Sequence, residues 1–317
     1  MTDQATQDAP TDAQPRPAVA GQVERSVSRG ATVDRPALRY HGAKFRLAPW
    51  VLRHFPAHGT YVEPFGGAAG VLLQKPRSYA EVYNDLDGEM ANFFRVLRNA
   101  GQRAALVEAL ALTPYARDEF DLAWEPTDDA IEQARRLCVR AQMGFGRAGA
   151  TKGVTGFRID TKRACSTAQH LWMEYPDSLA AVGARFAGVL IENRPALEVM
   201  PQHDGPDTLH YVDPPYVHST RQLRSRAPSY KHELTDDMHR ELAAGLAGLR
   251  GLVVVSGYRC ELYDELFDGW QRIDAAAHAD GARDRVESLW LSRGCPQAGL
   301  FDTHNAELCG GTSATNV

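Results

Sequence analysis

Cysteine is scarce in this sequence, and its spacing argues against a disulfide framework and against a structural zinc site. The cysteines are scattered, odd in number and never separated as C-x-x-C: Cys138, Cys165, Cys260, Cys295 and Cys309. A disulfide framework requires paired cysteines, and a structural zinc site requires closely spaced ligands. We therefore expect free thiols in a reducing compartment and no metal site.

Long apolar runs are also missing. No stretch of about 18 apolar residues offers a membrane span, and the first residues lack the apolar core of a signal peptide. The sequence thus predicts a cytoplasmic protein without a membrane segment.

The chain as a whole has no excess of basic residues. Its formal net charge of −5 argues against a uniformly basic nucleic-acid binder, although local patches can still attract phosphate. With 317 residues, of which 44% are hydrophobic, the chain can bury a substantial core in one large or two unequal domains.

Both ends of the chain are poor in large apolar residues. Residues 1–36 are rich in Thr, Asp, Gln, Ala and Pro, and residues 299–317 are similarly polar. Such segments bury too little apolar surface to fold alone. We therefore predict a disordered N-terminal tail and a flexible C-terminal tail.

Between the tails, short apolar runs alternate with helical patterns. The runs are TYVEPF, AEVYND, GVLIEN, TLHYVDPP, LVVVSGY, WQRIDAA and ESLWLS, with helices expected over 88–99 and, after a Thr235 N-cap, over 236–249. The alternation predicts an α/β fold with a mostly parallel sheet and helices on both faces. The last two runs leave little room for a crossover helix, so this edge is predicted to be an antiparallel hairpin.

The alternation is interrupted over residues 113–176. No buried strand run occurs there, and residues 135–164 carry eight basic side chains and one acidic side chain, Asp160. The basic residues are Arg135, Arg136, Arg140, Arg147, Lys152, Arg158, Lys162 and Arg163. A glycine-rich, basic insertion suits a large anionic partner. The alternative is a solvated loop region.

A glycine loop follows the first expected strand. In YVEPFGGAAG, residues 61–70, Gly66 and Gly67 permit a ligand to approach the backbone, and a helix is expected over AAGVLLQK. About 20 residues later Asp85 ends the second strand, where a carboxylate of a nucleoside-binding sheet binds ribose hydroxyls. Together they favour an adenosine-containing ligand, whereas the loop alone is equally explained as a structural turn.

The motif DPPY, residues 213–216, ends another expected strand. Two prolines terminate the strand and hold the preceding carboxylate rigidly. Asp213 and the Pro214 carbonyl can accept hydrogen bonds from the amine of a base, which favours a pyramidal, nucleophilic nitrogen. Tyr216 can stack on a base removed from the duplex. The alternative is that the prolines merely end a strand.

These motifs resemble a known family. DPPY, EPFGGAAG over 63–70 and LRYHGAK over 38–44, with an insertion before DPPY, are similar to the Dam-like adenine-specific DNA methyltransferases. The resemblance implies S-adenosylmethionine-dependent methylation of adenine N6 by direct in-line transfer. It implies a catalytic domain over 37–112 and 177–298, with the insertion 113–176 as its target-recognition part.

The resemblance also assigns site residues. It implies that Tyr40, where the family often has Trp, and Lys44 contact the cofactor, with Phe65 and Gly66 lining its pocket. Asp85 would hold the ribose, and Asp213 would lie between cofactor and target base. The catalytic set is Asp213, Pro214, Pro215 and Tyr216, and the expected DNA contacts are Arg147, Lys152 and Arg158, with a second basic cluster at Arg221, Arg224, Arg226 and Lys231.

Other functions stay open at this point. Cytosine N4 or a protein amide nitrogen is an alternative acceptor, although those enzymes usually carry Ser or Asn in place of Asp213. A further alternative is a DNA-binding module that keeps the fold without activity. His218 and His232, near DPPY, are expected to face the surface or the DNA. The partner is predicted to be double-stranded DNA, and the protein a monomer or weak dimer.

Overall fold

The computed structural model describes residues 32–146, 148–150, 155–159, 166–220, 230–279 and 283–295. Most of both predicted tails lies outside these residues. No helix in the described part of the chain is long and apolar enough to cross a membrane. The described cysteines, Cys138, Cys260 and Cys295, are free thiols, as the spacing predicted.

Every expected apolar run forms a strand of one sheet. The strands are β1 Thr60–Glu63, β2 Ala80–Asn84, β3 Leu190–Glu192, β4 Thr208–Val212, β5 Leu252–Gly257, β6 Gln271–Ala279 and β7 Arg283–Leu291. Within the described residues their order is β3-β2-β1-β4-β5-β7-β6. The first five are parallel, and β7 is antiparallel to both neighbours, so the predicted parallel sheet with an antiparallel edge hairpin is confirmed.

The strand order reverses at the centre of the sheet. β1 pairs with β2 on one side and with β4 on the other, and every residue of β4 is buried. In open α/β sheets such a reversal leaves a crevice beyond the carboxyl ends of the two central strands. The topology therefore places a binding site where β1 and β4 end.

Helices connect the strands. They are α1 Ala48–Leu52, α2 Gly88–Arg98, α3 Ala100–Leu112, α4 Arg117–Leu122, α5 Ala130–Met143, α6 Ala168–Phe186, α7 Ala196–Gln202, α8 Asp236–Ala247 and α9 Glu261–Leu266. The two predicted helices, α2 and α8, end one and two residues earlier than expected. The Thr235 hydroxyl accepts the Met238 N–H, as its N-cap role predicts.

Apolar residues fill both sides of the sheet, as expected for helices on both faces. Val254 belongs to the larger core cluster, whereas Val253 and Val255 belong to the second, because successive side chains of a strand point to opposite faces. The larger cluster contains a stacked pair, Phe94 of α2 and Phe186 of α6, with ring centroids 4.1 Å apart.

The helices of the segment 113–176 share the larger core cluster. Leu137 of α5 and Trp172 of α6 are buried in the same cluster as Tyr83 of β2. The Trp172 indole N–H donates to the Thr113 carbonyl at 2.9 Å. These helices therefore pack on the scaffold, and the boundaries 113–176 of a target-recognition part stay a prediction.

The helix expected over AAGVLLQK does not form. Residues 68–75 make successive turns, with Leu73 N–H bonded to the Ala69 carbonyl and Lys75 N–H to the Val71 carbonyl. Ala69 has φ of 54°, in the left-handed region that a regular helix does not use. The prediction of a helix directly after the glycines was therefore wrong.

Candidate active site

A cleft opens beyond the carboxyl ends of β1, β2 and β4, where the strand order reverses. It holds about 880 Å³ of empty space, including its opening to solvent. All the residues that the sequence assigned to a cofactor line this one cleft: Tyr40, Lys44, Phe65, Gly66, Asp85 and Asp213. These positions come from separate loops, and parallel strands bring them together at one edge of the sheet.

Asp213 lies directly after β4 and is held by two side chains. The Lys44 ammonium lies 2.9 Å from its carboxylate, and the Ser256 hydroxyl donates to Oδ1 at 2.8 Å. Ser256, at the carboxyl end of β5, is also 3.0 Å from the Tyr211 hydroxyl. The prolines that follow end the strand, so the carboxylate stays fixed at the strand tip.

Lys44 reaches Asp213 because its own loop is packed tightly. A Cβ at Gly70 would lie 2.7 Å from the Phe45 nitrogen, so only glycine lets the glycine loop rest against the backbone of 44–45. The ammonium also donates to the Gly42 carbonyl at 2.9 Å. Burial lowers the pKa of Lys44, but the combined attraction of Asp213, Glu287 and Tyr230 outweighs it, and the pKa is raised overall. Lys44 is therefore a buried cation.

Tyr216 is anchored at its ring and at its hydroxyl. The Lys44 ammonium lies over the ring, 4.7 Å from its centroid, and the Tyr258 ring meets it edge-to-face at 4.5 Å. The Tyr216 hydroxyl donates to Glu287 Oε2 at 2.8 Å. Burial raises the pKa of Tyr216, which keeps the phenol protonated. Pro215 lines the cleft, and Pro214 is buried.

The glycine loop forms the floor of the cleft. A Cβ at Gly66 would overlap the Tyr83 ring, and Gly67 has φ of 48°, so both positions require glycine. The Gly67 N–H donates to Asp85 Oδ2 at 2.7 Å. This donor therefore already has a partner within the protein.

Asp85 keeps acceptor capacity toward the cleft. Its Oδ1 accepts the Asp87 N–H at 2.8 Å and its Oδ2 accepts Gly67, so each oxygen has one lone pair left. Burial raises the pKa of Asp85 to about 6. The Tyr40 ring lies beside this loop, and its Cε1 would be only 2.9 Å from a Cβ placed at Gly67. Phe65 is half-buried in the same wall.

Three functional candidates were missed by reasoning from the sequence: Glu63, Ser256 and Glu287. Glu63 ends β1, lines the cleft and accepts the Tyr61 hydroxyl at 2.7 Å and the Leu72 N–H at 3.1 Å. Burial raises its pKa to about 8. The signal available in the sequence was a polar residue within or next to an apolar strand run: Ser256 lies within LVVVSGY, and Glu287 begins ESLWLS.

The segment after DPPY returns to the mouth of the cleft. The Tyr230 ring meets the His41 ring at 5.2 Å, and Lys231 donates to Asp87 Oδ1 at 2.8 Å. Lys231 was expected beside phosphate, but its ammonium pairs with Asp87 and Glu89 in this structure. The other members of that cluster, Arg221, Arg224 and Arg226, lie outside the described residues. His232 lines the cleft, and His218 is exposed.

Of the predicted DNA contacts, only Arg158 lies within the described residues, and its side chain is 8% exposed. Its backbone N–H donates to the Met143 carbonyl at 2.7 Å, and its carbonyl accepts the Tyr115 hydroxyl at 2.7 Å. Arg147 and Lys152 lie outside the described residues. All three contacts stay predictions.

Part of the basic charge of residues 135–164 is neutralised by carboxylates that lie outside this range. Arg135 pairs with Glu119 and Glu132, Arg136 with Glu132, and Arg140 with Glu89 of α2 at 2.6 Å. These arginines join α5 to its neighbours, and the charge available to DNA is smaller than the sequence count.

A mostly parallel sheet, a reversal at β1 and β4 and a carboxylate presented in DPPY at the tip of β4 define a Rossmann-like methyltransferase. The sequence matches the D12 class N6 adenine-specific DNA methyltransferase family over residues 40–279, and the chain belongs to this family. It is a DNA adenine methyltransferase. Membership decides for adenine over cytosine N4 or a protein amide, and for an enzyme over an inactive module. A search of curated proteins found no match.

Proposed function

We propose that this enzyme transfers the methyl group of S-adenosylmethionine to N6 of an adenine flipped out of double-stranded DNA, at a specific site and by direct in-line transfer. The observation that carries the proposal is the carboxylate of Asp213, held at the tip of β4 by Lys44 and Ser256 inside the cleft. An oriented acceptor of this kind is what methylation of an amine requires.

The side chains around the cleft fit S-adenosylmethionine. The free lone pairs of Asp85 suit ribose hydroxyls, and Phe65 and Tyr40 offer aromatic surface to an adenine ring. The carboxylates of Asp85, Asp87 and Asp213 line the cleft. Such groups suit a ligand that carries a sulfonium and an ammonium group. When bound, the cofactor supplies an electrophilic methyl group.

Asp213 has acceptor capacity left for the target amine. Lys44 and Ser256 occupy part of its capacity of about four lone-pair sites. Hydrogen bonds from the amine to Asp213 and to the Pro214 carbonyl would favour a pyramidal nitrogen, whose lone pair is no longer delocalised into the ring. Once methylated, the nitrogen carries a positive charge and loses its proton readily to water, so no strong general base is needed.

The target base has to leave the DNA stack to reach this strand tip, because an amine inside a duplex is inaccessible to a recessed carboxylate. Tyr216 supplies an aromatic ring beside Asp213 for the flipped base. Arg147, Lys152 and Arg158 remain the proposed contacts to the surrounding DNA. Their charge would supply phosphate binding that the net charge of the chain does not.

The proposal is tested by incubating the purified enzyme with tritiated S-adenosylmethionine and double-stranded DNA, followed by hydrolysis of the DNA. Label is expected in N6-methyladenine, and single-molecule sequencing should locate it in one sequence context. Label in cytosine, or N6-methyladenine scattered without context, would contradict the proposal. Calorimetry with S-adenosylmethionine alone checks the cofactor independently of the DNA.

A further inference from the structure

A buried glutamate on β7 contacts two tyrosines beside Asp213. Glu287 is 8% exposed, and its Oε2 accepts the Tyr216 hydroxyl at 2.8 Å. Tyr258 also hydrogen-bonds this carboxylate. Glu287 thus connects the antiparallel edge of the sheet to the last residue of DPPY.

The fold itself does not call for a carboxylate at this position. The following residues of β7, Ser288, Leu289 and Trp290, are buried, and a buried strand position is normally apolar. A carboxylate there loses its hydration and needs hydrogen bonds to compensate. Its bonds come from Tyr216 and Tyr258, and the positive charge of Lys44 attracts it. The groups that stabilise Glu287 are therefore those of the candidate active site.

The two tyrosines limit each other's orientation. A hydrogen bond at a phenol hydroxyl fixes where the ring lies but leaves its plane free to turn. The edge-to-face contact between Tyr216 and Tyr258, at 4.5 Å with 65° between the ring planes, restricts that turn. One carboxylate that accepts from both hydroxyls holds the pair as a unit, and Lys44 covers the Tyr216 ring.

We propose that Glu287 is a positioning residue for methyl transfer, which holds the Tyr216 ring through its hydroxyl so that the target base meets a fixed surface beside Asp213. Glu287 acts through Tyr216 and Tyr258, and it does not touch the amine. The inference rests on the proposed function, since it assumes that a flipped base lies against Tyr216.

Two substitutions separate hydrogen bonding from charge and from packing. Glu287→Met keeps the volume and removes both acceptors, and Glu287→Gln keeps an acceptor oxygen and removes the charge. We expect E287M to lower the single-turnover methylation rate by at least about tenfold, because small misplacements near the reacting atoms are costly. We expect E287Q to stay within about threefold of the wild type, since an amide oxygen still accepts a phenol hydrogen bond.

Stability and binding measurements distinguish positioning from a structural role. E287M leaves the hydroxyls of Tyr216 and Tyr258 without their acceptor, and a buried donor without a partner destabilises the fold, so we expect a lower Tm and an unchanged S-adenosylmethionine affinity. The matched control is Glu81→Gln, another buried glutamate, paired with Arg185 at 2.6 Å near the start of β2. E81Q should lower Tm and leave the methylation rate unchanged.

A double-mutant cycle with Tyr216→Phe tests the connection itself. If Glu287 acts mainly through the Tyr216 hydroxyl, E287M should slow methylation much less in the Y216F background than in the wild type. Fully additive losses would overturn the inference. Equal losses in E287M and E287Q would overturn it as well, because charge would then matter more than the hydrogen bonds.

Failure of the inference and failure of the proposed function give different results. If the wild type forms N6-methyladenine and E287M matches it, the inference is wrong and the proposed function stands. If the wild type forms none with S-adenosylmethionine, the proposed function is wrong and the inference falls with it.

Discussion

Lys44 and Asp213, which lie 169 residues apart in the chain, form an ion pair with 2.9 Å between the ammonium and the carboxylate. Lys44 belongs to the loop before α1, and Asp213 follows the central strand β4. The pair joins the first motif of the sequence to DPPY. Because Lys44 is 6% exposed, solvent screens the interaction only weakly.

Replacing Lys44 by Met should slow methylation by at least about tenfold, because Asp213 would lose its charged partner in a partly buried site. Lys75→Met is the matched control, since Lys75 is equally buried at 6% exposure but pairs with Glu81 away from the cleft. K75M should lower Tm and keep the rate. Single-turnover kinetics and thermal melts measure both, and equal rates in the two variants would contradict the role of Lys44.

Asp213→Ala should lower turnover by at least about a hundredfold, the scale of losing one oriented contact to the transition state. The fold should survive, because Asp213 lies at a strand tip outside the core clusters. Asp213→Asn keeps one acceptor oxygen and loses the attraction to Lys44, so its rate should be intermediate. Near-normal turnover in D213A, with an unchanged Tm, would show that the carboxylate is not the acceptor.

The buried carboxyl of Glu63 predicts a pH-dependent difference in stability. Burial raises its pKa from the ordinary 4.5 to about 8, so the folded state binds the proton more tightly than the unfolded state. This contribution to stability is full below the unfolded pKa and is lost as pH rises through about 8. Glu63→Gln cannot ionise there.

The measurement is the Tm difference between E63Q and wild type across this pH range. The variant should gain relative to the wild type as pH rises from about 5 to about 9, and other titrating groups cancel in the difference. Glu198→Gln, an exposed glutamate paired with Arg194, is the control and should show a flat difference. A flat difference for E63Q would mean that its pKa is not raised.

Salt dependence tests the proposed DNA contacts. Replacing Arg147 and Lys152 by Ala should flatten the slope of log affinity against log salt by up to about two units, because each phosphate contact releases about one counterion. Arg136→Ala is the control, since its guanidinium pairs with Glu132 and should leave the slope unchanged. A double variant with the wild-type slope and the wild-type site preference would refute a role of these residues on DNA.

Several site residues could be predicted because their signals are local. A turn or the end of a strand is predicted within a few residues by the apolar strand runs, by the prolines of DPPY and by the glycines at 66 and 67. Parallel strands then bring their carboxyl ends together, so Asp85 and Asp213 were expected in one cleft. Ser256 and Glu287 were missed because their importance depends on partners more than 40 residues away in the chain.

The count of basic residues over 135–164 overestimated the charge available to DNA for a related reason. Residues 135–164 are basic in sequence, but Arg135 and Arg140 find Glu119 and Glu89 outside that window. Sequence composition cannot tell a paired guanidinium from one that faces solvent, because pairing depends on how helices pack. The helix expected over AAGVLLQK does not form: Ala69 has a left-handed backbone, and the next residue, Gly70, lies against the backbone of residues 44–45.

By itself, the sequence determined the α/β alternation, the hairpin edge, the strand tip that carries DPPY and the resemblance to adenine methyltransferases, since each depends on residues close together in the chain. Only the tertiary structure decided which side chains hold Asp213 and Tyr216. Lys44, Ser256 and Glu287 come from a loop, β5 and β7, and the distances that make them partners arise when the sheet assembles.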